Sequence, residues 1–376
     1  MATFIFIVCQ TGAESVCKQE ILRQQPDWKL AFSRPGFLTF KTGLSAKEGD
    51  SFVLESTFAR TWGHSMERLV GTDGIEMARR AAQIATQLSP QAIHVWQRDT
   101  AVPGDRGYEP FTTPLAQQIG MLIRDQFAVQ SGRKLPVNRI AKSGAIVLDV
   151  ALVTPQEWWI GWHRPVVAVQ QWPGGVPPQV VRCDVVSRAY YKMAETLLWG
   201  KIPVRNGDLC IELGSAPGGA AQRLLEEGAR VLAIDPAELE PELVKSPGLT
   251  HLRMRSREVP HSQLRGARWL FADLNVAPSY TLAAVEDLVG SRQAKFVGIG
   301  LTLKLTDWKF AAQIDAYRER VKSWGFGVVK TRQLAFNRRE FCLVALRDRF
   351  QSRLAALSSN SRRRRPKSTK RAKPKS

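Results

Sequence analysis

The chain has 376 residues, with 54 Lys+Arg against 34 Asp+Glu and a formal net charge of +20. At about 150 residues per domain it can hold two or three domains, each burying its own core. A composition of 44% hydrophobic and 23% charged residues is that of a globular chain and sets disordered and fibrous classes aside. No apolar run approaches the ~20 residues needed to span a bilayer. The apolar start Phe4–Val8 is too short for a signal-peptide core and lacks a basic flank. Cys9, Cys17, Cys183, Cys210 and Cys342 are scattered, which predicts buried reduced thiols in a cytoplasmic protein. The five histidines are equally dispersed, so no metal site is expected.

The predicted elements begin with a strand at Phe4–Cys9, a helix at Ala13–Gln24, and strands at Gly36–Lys41 and Ser51–Arg60. An Ala-rich helix over Glu76–Gln87, a strand at Ala92–Gln97 and an amphipathic helix over Leu115–Ala128 follow. Ala145–Val153 and Glu157–His163 read as a hairpin across Thr154-Pro155. The Pro/Gly-rich run Gln171–Pro178 marks the clearest boundary. Beyond it a helix starts near Ser187, and the strand Leu209–Leu213 turns through glycines into the helix Ala220–Glu227. Strands follow at Arg230–Ile234, Leu249–Met254, Trp269–Ala272, Phe296–Leu303, Gly327–Thr331 and Glu340–Leu346. This alternation predicts an α/β domain with a doubly wound, mostly parallel sheet. The expected organisation is a small α+β region over 1–60, a second region over 61–170, a linker over 171–185, the α/β domain over 186–350 and a tail over 351–376.

From Ser358 to Ser376 there are nine basic side chains and no acid, leaving +11 of the +20 elsewhere. Such a tail cannot bury a core and is expected to be disordered. A basic arm on a basic body favours a polyanion partner, through release of counterions from phosphates. Charge alone leaves RNA, DNA and anionic membrane open.

The glycine turn carries the chemistry. Glu212-Leu213-Gly214-Ser215-Ala216-Pro217-Gly218-Gly219 lies where a strand meets a helix, and Asp235 ends the next strand, 21 residues beyond Gly214. Glycines allow the backbone close to a ligand at the edge where open α/β sheets bind, and an acid at Asp235 suits ribose hydroxyls. The spacing is neither that of a dinucleotide site nor, without Gly-Lys-Ser/Thr, that of a P-loop. A nucleoside-bearing cofactor without pyrophosphate fits better.

This octapeptide resembles the S-adenosylmethionine-binding motif of the FtsJ-like ribose 2′-O-methyltransferases, Asp-Leu-Gly-x-x-Pro-Gly-Gly. Ser187-Arg188-Ala189-Tyr190-Tyr191-Lys192 resembles the same family's Ser-Arg-Ala-x-x-Lys. The N-terminal half, opened by Cys9-Gln10-Thr11-Gly12-Ala13-Glu14, resembles the THUMP-containing arm of bacterial 23S rRNA 2′-O-methyltransferases of the RlmM type. The resemblance implies a Rossmann-like class I methyltransferase domain behind an α+β THUMP-like RNA-binding region. It implies S-adenosylmethionine as cofactor, held by Ser187, Glu212, Gly214–Gly219, Asp235 and Asp273. RNA, most readily 23S rRNA, would be the partner, with no DNA and no membrane.

The family's Lys-Asp-Lys-Glu tetrad maps onto Lys192, Asp273, Lys304 and Glu340. In the family the last strand is antiparallel, which would bring all four to one sheet edge beside the glycine turn. The implied reaction is in-line methyl transfer from the cofactor's sulfonium to a ribose 2′-oxygen. Following the family, Lys304 is the general base that removes the hydroxyl proton, a task a lysine performs only when neutral. Lys192 and Glu340 would orient the ribose and Lys304, and Asp273 would lie between cofactor and base. Amino-nitrogen methylation usually shows Asn/Asp-Pro-Pro-Tyr/Phe where this chain has Asp273-Leu274-Asn275-Val276. Pyrimidine-carbon methylation needs a nucleophilic cysteine, whereas Cys210 and Cys342 sit inside predicted strands. Two rivals remain: an inactive RNA-binding protein keeping the fold, and the same chemistry on transfer RNA or another RNA. The first is favoured by Met254-Arg255-Ser256-Arg257, where relatives often place an acid for the adenine. Trp158, Trp159 and Trp162 could stack on bases, though core packing is the commoner use of tryptophan.

Overall fold

The structure is a computed structural model that describes residues 3–44, 52–178 and 182–348. The expected disordered tail over 351–376 lies outside the described residues. Two seven-stranded sheets organise the chain.

The first sheet is built from β1 (Thr3–Val8), β2 (Lys29–Arg34), β3 (Phe37–Thr42), β4 (Thr61–Val70), β5 (Ala92–Gln97), β6 (Val147–Thr154) and β7 (Glu157–His163). Their spatial order is β2-β3-β1-β4-β7-β6-β5. Helix α1 (Glu14–Gln24) follows β1, while α2 (Gly74–Leu88) and α3 (Pro114–Ser131) pack their apolar stripes on the β5–β7 end. Asp73 caps α2 by accepting the Ile75 and Glu76 amides, and Thr113 with Pro114 starts α3. Two expectations change here. Residues 52–60 carry no strand; the strand begins at Thr61, and Thr61–Ser65 pair with β1. Because Phe4 pairs with Ser65 and Val8 with Thr61, one sheet also runs across the expected division at 60/61. Strand β2 was not expected; its apolar residues Leu30, Ala31 and Phe32 are consecutive and mostly exposed at the sheet edge, so there is no alternating pattern to read.

The second sheet comprises β8 (Leu209–Leu213), β9 (Arg230–Ile234), β10 (Leu249–Leu252), β11 (Ala267–Ala272), β12 (Gly298–Lys304), β13 (Val328–Arg332) and β14 (Glu340–Leu346). It is ordered β10-β9-β8-β11-β12-β14-β13. All pairings are parallel except those of β14, which runs against both β12 and β13. Helices α4 (Ala189–Gly200), α5 (Gly219–Glu226), α6 (Pro241–Val244), α7 (Pro278–Gly290) and α8 (Ile314–Ser323) accompany it. β12 and β14 are buried almost throughout, as near-continuous apolar strands covered on both faces should be. This is the expected Rossmann-like arrangement with a mostly parallel sheet.

The Pro/Gly-rich stretch is not a free spacer. Pro173, Gly174 and Gly175 are buried. A Cβ at Gly174 would lie 2.7 Å from the Trp96 ring, and one at Gly175 would lie 2.3 Å from the Arg60 carbonyl oxygen. The stretch is pinned from the far side as well, because the Arg332 guanidinium donates to the Gly175 and Arg60 carbonyls at 2.7 and 3.2 Å. Arg332 also pairs with Glu195 at 3.0 Å, their side chains 3% and 0% exposed. Arg60 in turn forks onto Asp99 at 3.0 and 2.6 Å. A buried chain of charges thus crosses from one sheet to the other. Among the described residues no helix is long and apolar enough to cross a membrane.

Candidate active site

Lys192 sits in the first turn of α4, Asp273 just past β11, Lys304 at the end of β12 and Glu340 at the start of β14. The antiparallel register sets Lys304 directly opposite Glu340. Four residues from distant parts of the sequence therefore meet at one sheet edge. Lys192 Nζ donates to Asp273 Oδ2 at 2.6 Å and to Glu340 Oε1 at 2.8 Å. Lys304 Nζ donates to Glu340 Oε2 at 2.5 Å and lies 2.8 Å from Asp273 Oδ1. The four side chains close a ring in which cations and anions alternate.

The electrostatics follow from that ring. Burial pulls the Lys192 ammonium toward its neutral form, but the Asp273 and Glu340 carboxylates outweigh it and hold the proton well above the ordinary lysine range. Burial likewise pushes the Glu340 carboxyl up, yet Lys192 and Lys304 bring it down to about 2. Glu340 is therefore a fixed anion that seats both lysines.

The glycine turn lies beside the ring, and its glycines are needed first by the protein itself. Gly214 has φ +74°, and a Cβ there would come within 2.6 Å of the Asp273 carbonyl oxygen. A Cβ at Gly218 would strike the Leu243 side chain of α6, and one at Gly219 would strike the Ser187 hydroxyl. The turn is thus pressed against the peptide of one ring member and the entry to the helix bearing another. Ser215 is also structural: its hydroxyl donates to the Glu212 carbonyl at 2.9 Å and accepts the Ile234 amide at 3.0 Å, tying β8 to β9. Asp235 accepts the Ala216 amide at 3.1 Å and the Ala237 amide at 2.8 Å, fixing the turn against the end of β9. The Ala216–Pro217 peptide is cis.

Glu212 differs from its neighbours. It is buried, and its Oε2 has no hydrogen-bond partner. Burial, then the charges of Asp273 and Asp235, push its carboxyl well above the usual range. A cavity of ≈ 20 Å³ bordered by Lys192, Glu212, Asp273, Thr302 and Cys342 has room for about one water. A cofactor carrying an ammonium and ribose hydroxyls suits this donor set: Glu212 offers an unmet acceptor, and Asp235 retains lone pairs at the strand end.

Residues 185–364 match the FtsJ-like methyltransferase family. The C-terminal unit is an FtsJ-like methyltransferase domain. Among similar proteins, a ribosomal RNA large subunit methyltransferase M of Thauera aminoaromatica is 24% identical over 61% of this chain and 61% of its own length. Its namesake from Aromatoleum aromaticum is 25% identical over 81% of this chain and 83% of its own. Among solved structures, TrmN from Thermus thermophilus aligns over 92% of this chain and 99% of its own, with TM-score 0.34 and 14% identity.

Around the FtsJ-like domain several expectations are refined. Cys210 and Cys342 are buried, and burial pushes the Cys342 thiol up to about 12, so neither offers a ready thiolate. Cys183 is exposed, against the expectation that all five are buried. It sits beside Arg182 and Asp184, whose ion pair keeps that segment at the surface. Trp158 is buried, Trp159 packs on Phe32 and Phe37, and Trp162 stacks on His64, so these rings serve the first sheet. His94, Asp149 and His163 converge within 4.8 Å in the first sheet, a cluster that spacing along the chain concealed. Sequence reading also missed Asn337, whose amide donates to Glu340 Oε1 at 3.0 Å. Its position three residues before Glu340 carries no signal of its own.

Proposed function

We propose that the protein is an S-adenosylmethionine-dependent RNA ribose 2′-O-methyltransferase acting on 23S rRNA, with the first sheet as an RNA-positioning arm of the THUMP kind. The observation that carries this reading is the closed ring of Lys192, Asp273, Lys304 and Glu340 beside the glycine turn of an FtsJ-like domain. The names of the relatives, ribosomal RNA large subunit methyltransferases, support the choice of RNA.

When bound, the cofactor supplies the methyl group. Glu212 and Asp235 would hold it, with Ser187 and Gly214–Gly219 shaping the cradle and Asp273 at its border with the ring. Lys304 in its neutral form, having first given up an ammonium proton, removes the proton of the ribose 2′-hydroxyl, which turns a poor nucleophile into a competent one. Glu340, a fixed anion, aims Lys304, and Lys192 bridges the two carboxylates and offsets their mutual repulsion. The hydroxyl that reacts is also the group that separates RNA from DNA.

Replacing Lys304 by alanine should lower methylation by about 100-fold or more, the usual contribution of a positioned base, while leaving cofactor affinity unchanged. A Lys304→Ala protein with full activity would remove the base assignment. Mapping 2′-O-methylation across total RNA with and without the gene tests the substrate, with loss of one site in 23S rRNA as the expected result.

A further inference from the structure

Asn337 and Gln10 join the catalytic ring to the N-terminal sheet. Gln10 lies in the loop after β1, and its amide nitrogen donates to the Asn337 carbonyl oxygen at 2.7 Å, across 327 positions of sequence. Asn337 is 0% exposed. Its Oδ1 accepts the Leu334 amide at 2.7 Å, which fixes the orientation of the side-chain amide, so that Nδ2 faces Glu340 Oε1 at 3.0 Å. Glu340 Oε1 therefore receives two donors, Lys192 and Asn337, while Oε2 is left to Lys304. The last torsion of a glutamate is broad, so its carboxylate plane can swing away from a partner. A neutral donor held rigidly on one oxygen fixes the plane of the carboxylate and so keeps the other oxygen aimed at the lysine opposite. Gln10 is itself buried and comes from the other unit, so the N-terminal sheet sets where this donor stands.

We propose that Asn337 is a positioning residue for Glu340, and that Gln10 makes the N-terminal unit a structural part of the catalytic centre in addition to any contact it makes with RNA. The proposal rests on the reading of the ring as catalytic. The charged groups facing Glu340 are Lys192 from α4 and Lys304 from β12, with Asp273 beyond them on both lysines. An aspartate at 337 keeps the shape of the side chain but loses the amide that donates to Oε1.

The test compares the full-length wild type with Asn337→Ala, Asn337→Asp, Gln10→Ala and the conservative Gln10→Glu. It uses large-subunit rRNA lacking the modification and a radiolabelled methyl donor. Asn337→Ala should lower kcat by about 10-fold or more with KM for RNA little changed, the signature of an interaction felt mainly in the transition state. Asn337→Asp, which loses the same donor, should lower kcat in the same direction with KM for RNA little changed. Gln10→Ala should lower kcat in the same direction by a smaller factor, and Gln10→Glu should not restore it, since a carboxylate has no amide donor for the Asn337 carbonyl. Thermal unfolding identifies any variant whose loss is one of folding, and Asn337→Asp, closest in shape, then decides. A Gln10→Ala protein that changes only the KM for RNA overturns the proposal, as does wild-type kcat in Asn337→Ala. A wild type that binds the methyl donor but transfers nothing counts against the proposed function instead. In that event the ammonium signals of Lys192 and Lys304 in ¹⁵N spectra serve as the readout: a change in both asparagine variants supports the positioning role, and unchanged signals overturn it.

Discussion

Replacing Arg332 by alanine should be among the most destabilising single changes in this protein. The guanidinium is buried with Glu195, whose Oε1 it meets at 3.0 Å, and its other two nitrogens reach the Arg60 and Gly175 carbonyls at 3.2 and 2.7 Å. Removal strands the Glu195 charge, leaving it the Ala335 amide on Oε2, and takes the donor from two buried carbonyls of the other unit. Breaking a buried pair by deleting one partner costs about 3–5 kcal/mol. Set against a net stability of about 5–15 kcal/mol, that is a large share. Arg332→Leu combined with Glu195→Leu should cost less than the sum of the single changes, because no unpaired charge then stays buried. Urea unfolding at neutral pH, followed by tryptophan fluorescence, measures each change. A loss below about 1 kcal/mol for Arg332→Ala, the scale of an exposed pair, would refute the view that this pair is dry and holds the two units together.

Other outcomes follow from the same geometry. Gly214→Ala should cost at least about 1 kcal/mol, the penalty of a side chain at positive φ, and should also reduce activity by pushing the Asp273 peptide out of place; circular dichroism melts and initial rates check both. Glu340, lowered to about 2, contributes stability that is intact above the ordinary carboxylate value of about 4.3 and is lost as the pH falls toward 2, so Glu340→Gln should flatten acid unfolding. Glu212 has the opposite sign. Its carboxyl is raised, so its contribution is present below about pH 4.3 and is lost as the pH rises; Glu212→Gln should stabilise the cofactor-free protein at neutral pH while weakening cofactor binding, as calorimetry would show. Removing residues 351–376 should lower RNA affinity and reduce the slope of log affinity against log salt, since each phosphate contact contributes about 0.9 to that slope on a duplex; filter binding at several salt concentrations reads it.

Much of the second sheet was legible because its signals are local. Apolar runs bounded by glycine and charge mark β8, β9 and β14 within a residue or two, and the glycine turn stands out between a strand and a helix. The ring was legible only through family resemblance: Lys192, Asp273, Lys304 and Glu340 are individually ordinary strand-end or helix residues, and their meeting depends on the antiparallel register of β14. The joint between the units left no trace in the sequence. Glu195 is an acid one turn along α4 from Lys192, Arg332 ends an edge strand, and Gln10 sits in a loop; their partners lie 137, 272 and 327 positions away. Hydrogen bonds of that span have no periodicity to betray them, and a Pro/Gly-rich stretch reads as a spacer until its burial is seen.

With both lysines protonated, the ring of two lysines and two carboxylates carries no formal net charge, and with Lys304 neutral it is negative. A polyanion approaching it therefore meets no attraction from the reacting groups themselves, and under the proposed function the field that gathers RNA comes from basic residues elsewhere on the chain. Capture and chemistry are in this sense electrically separate. Added salt should lengthen the search for substrate while leaving the rate of the bound complex nearly untouched.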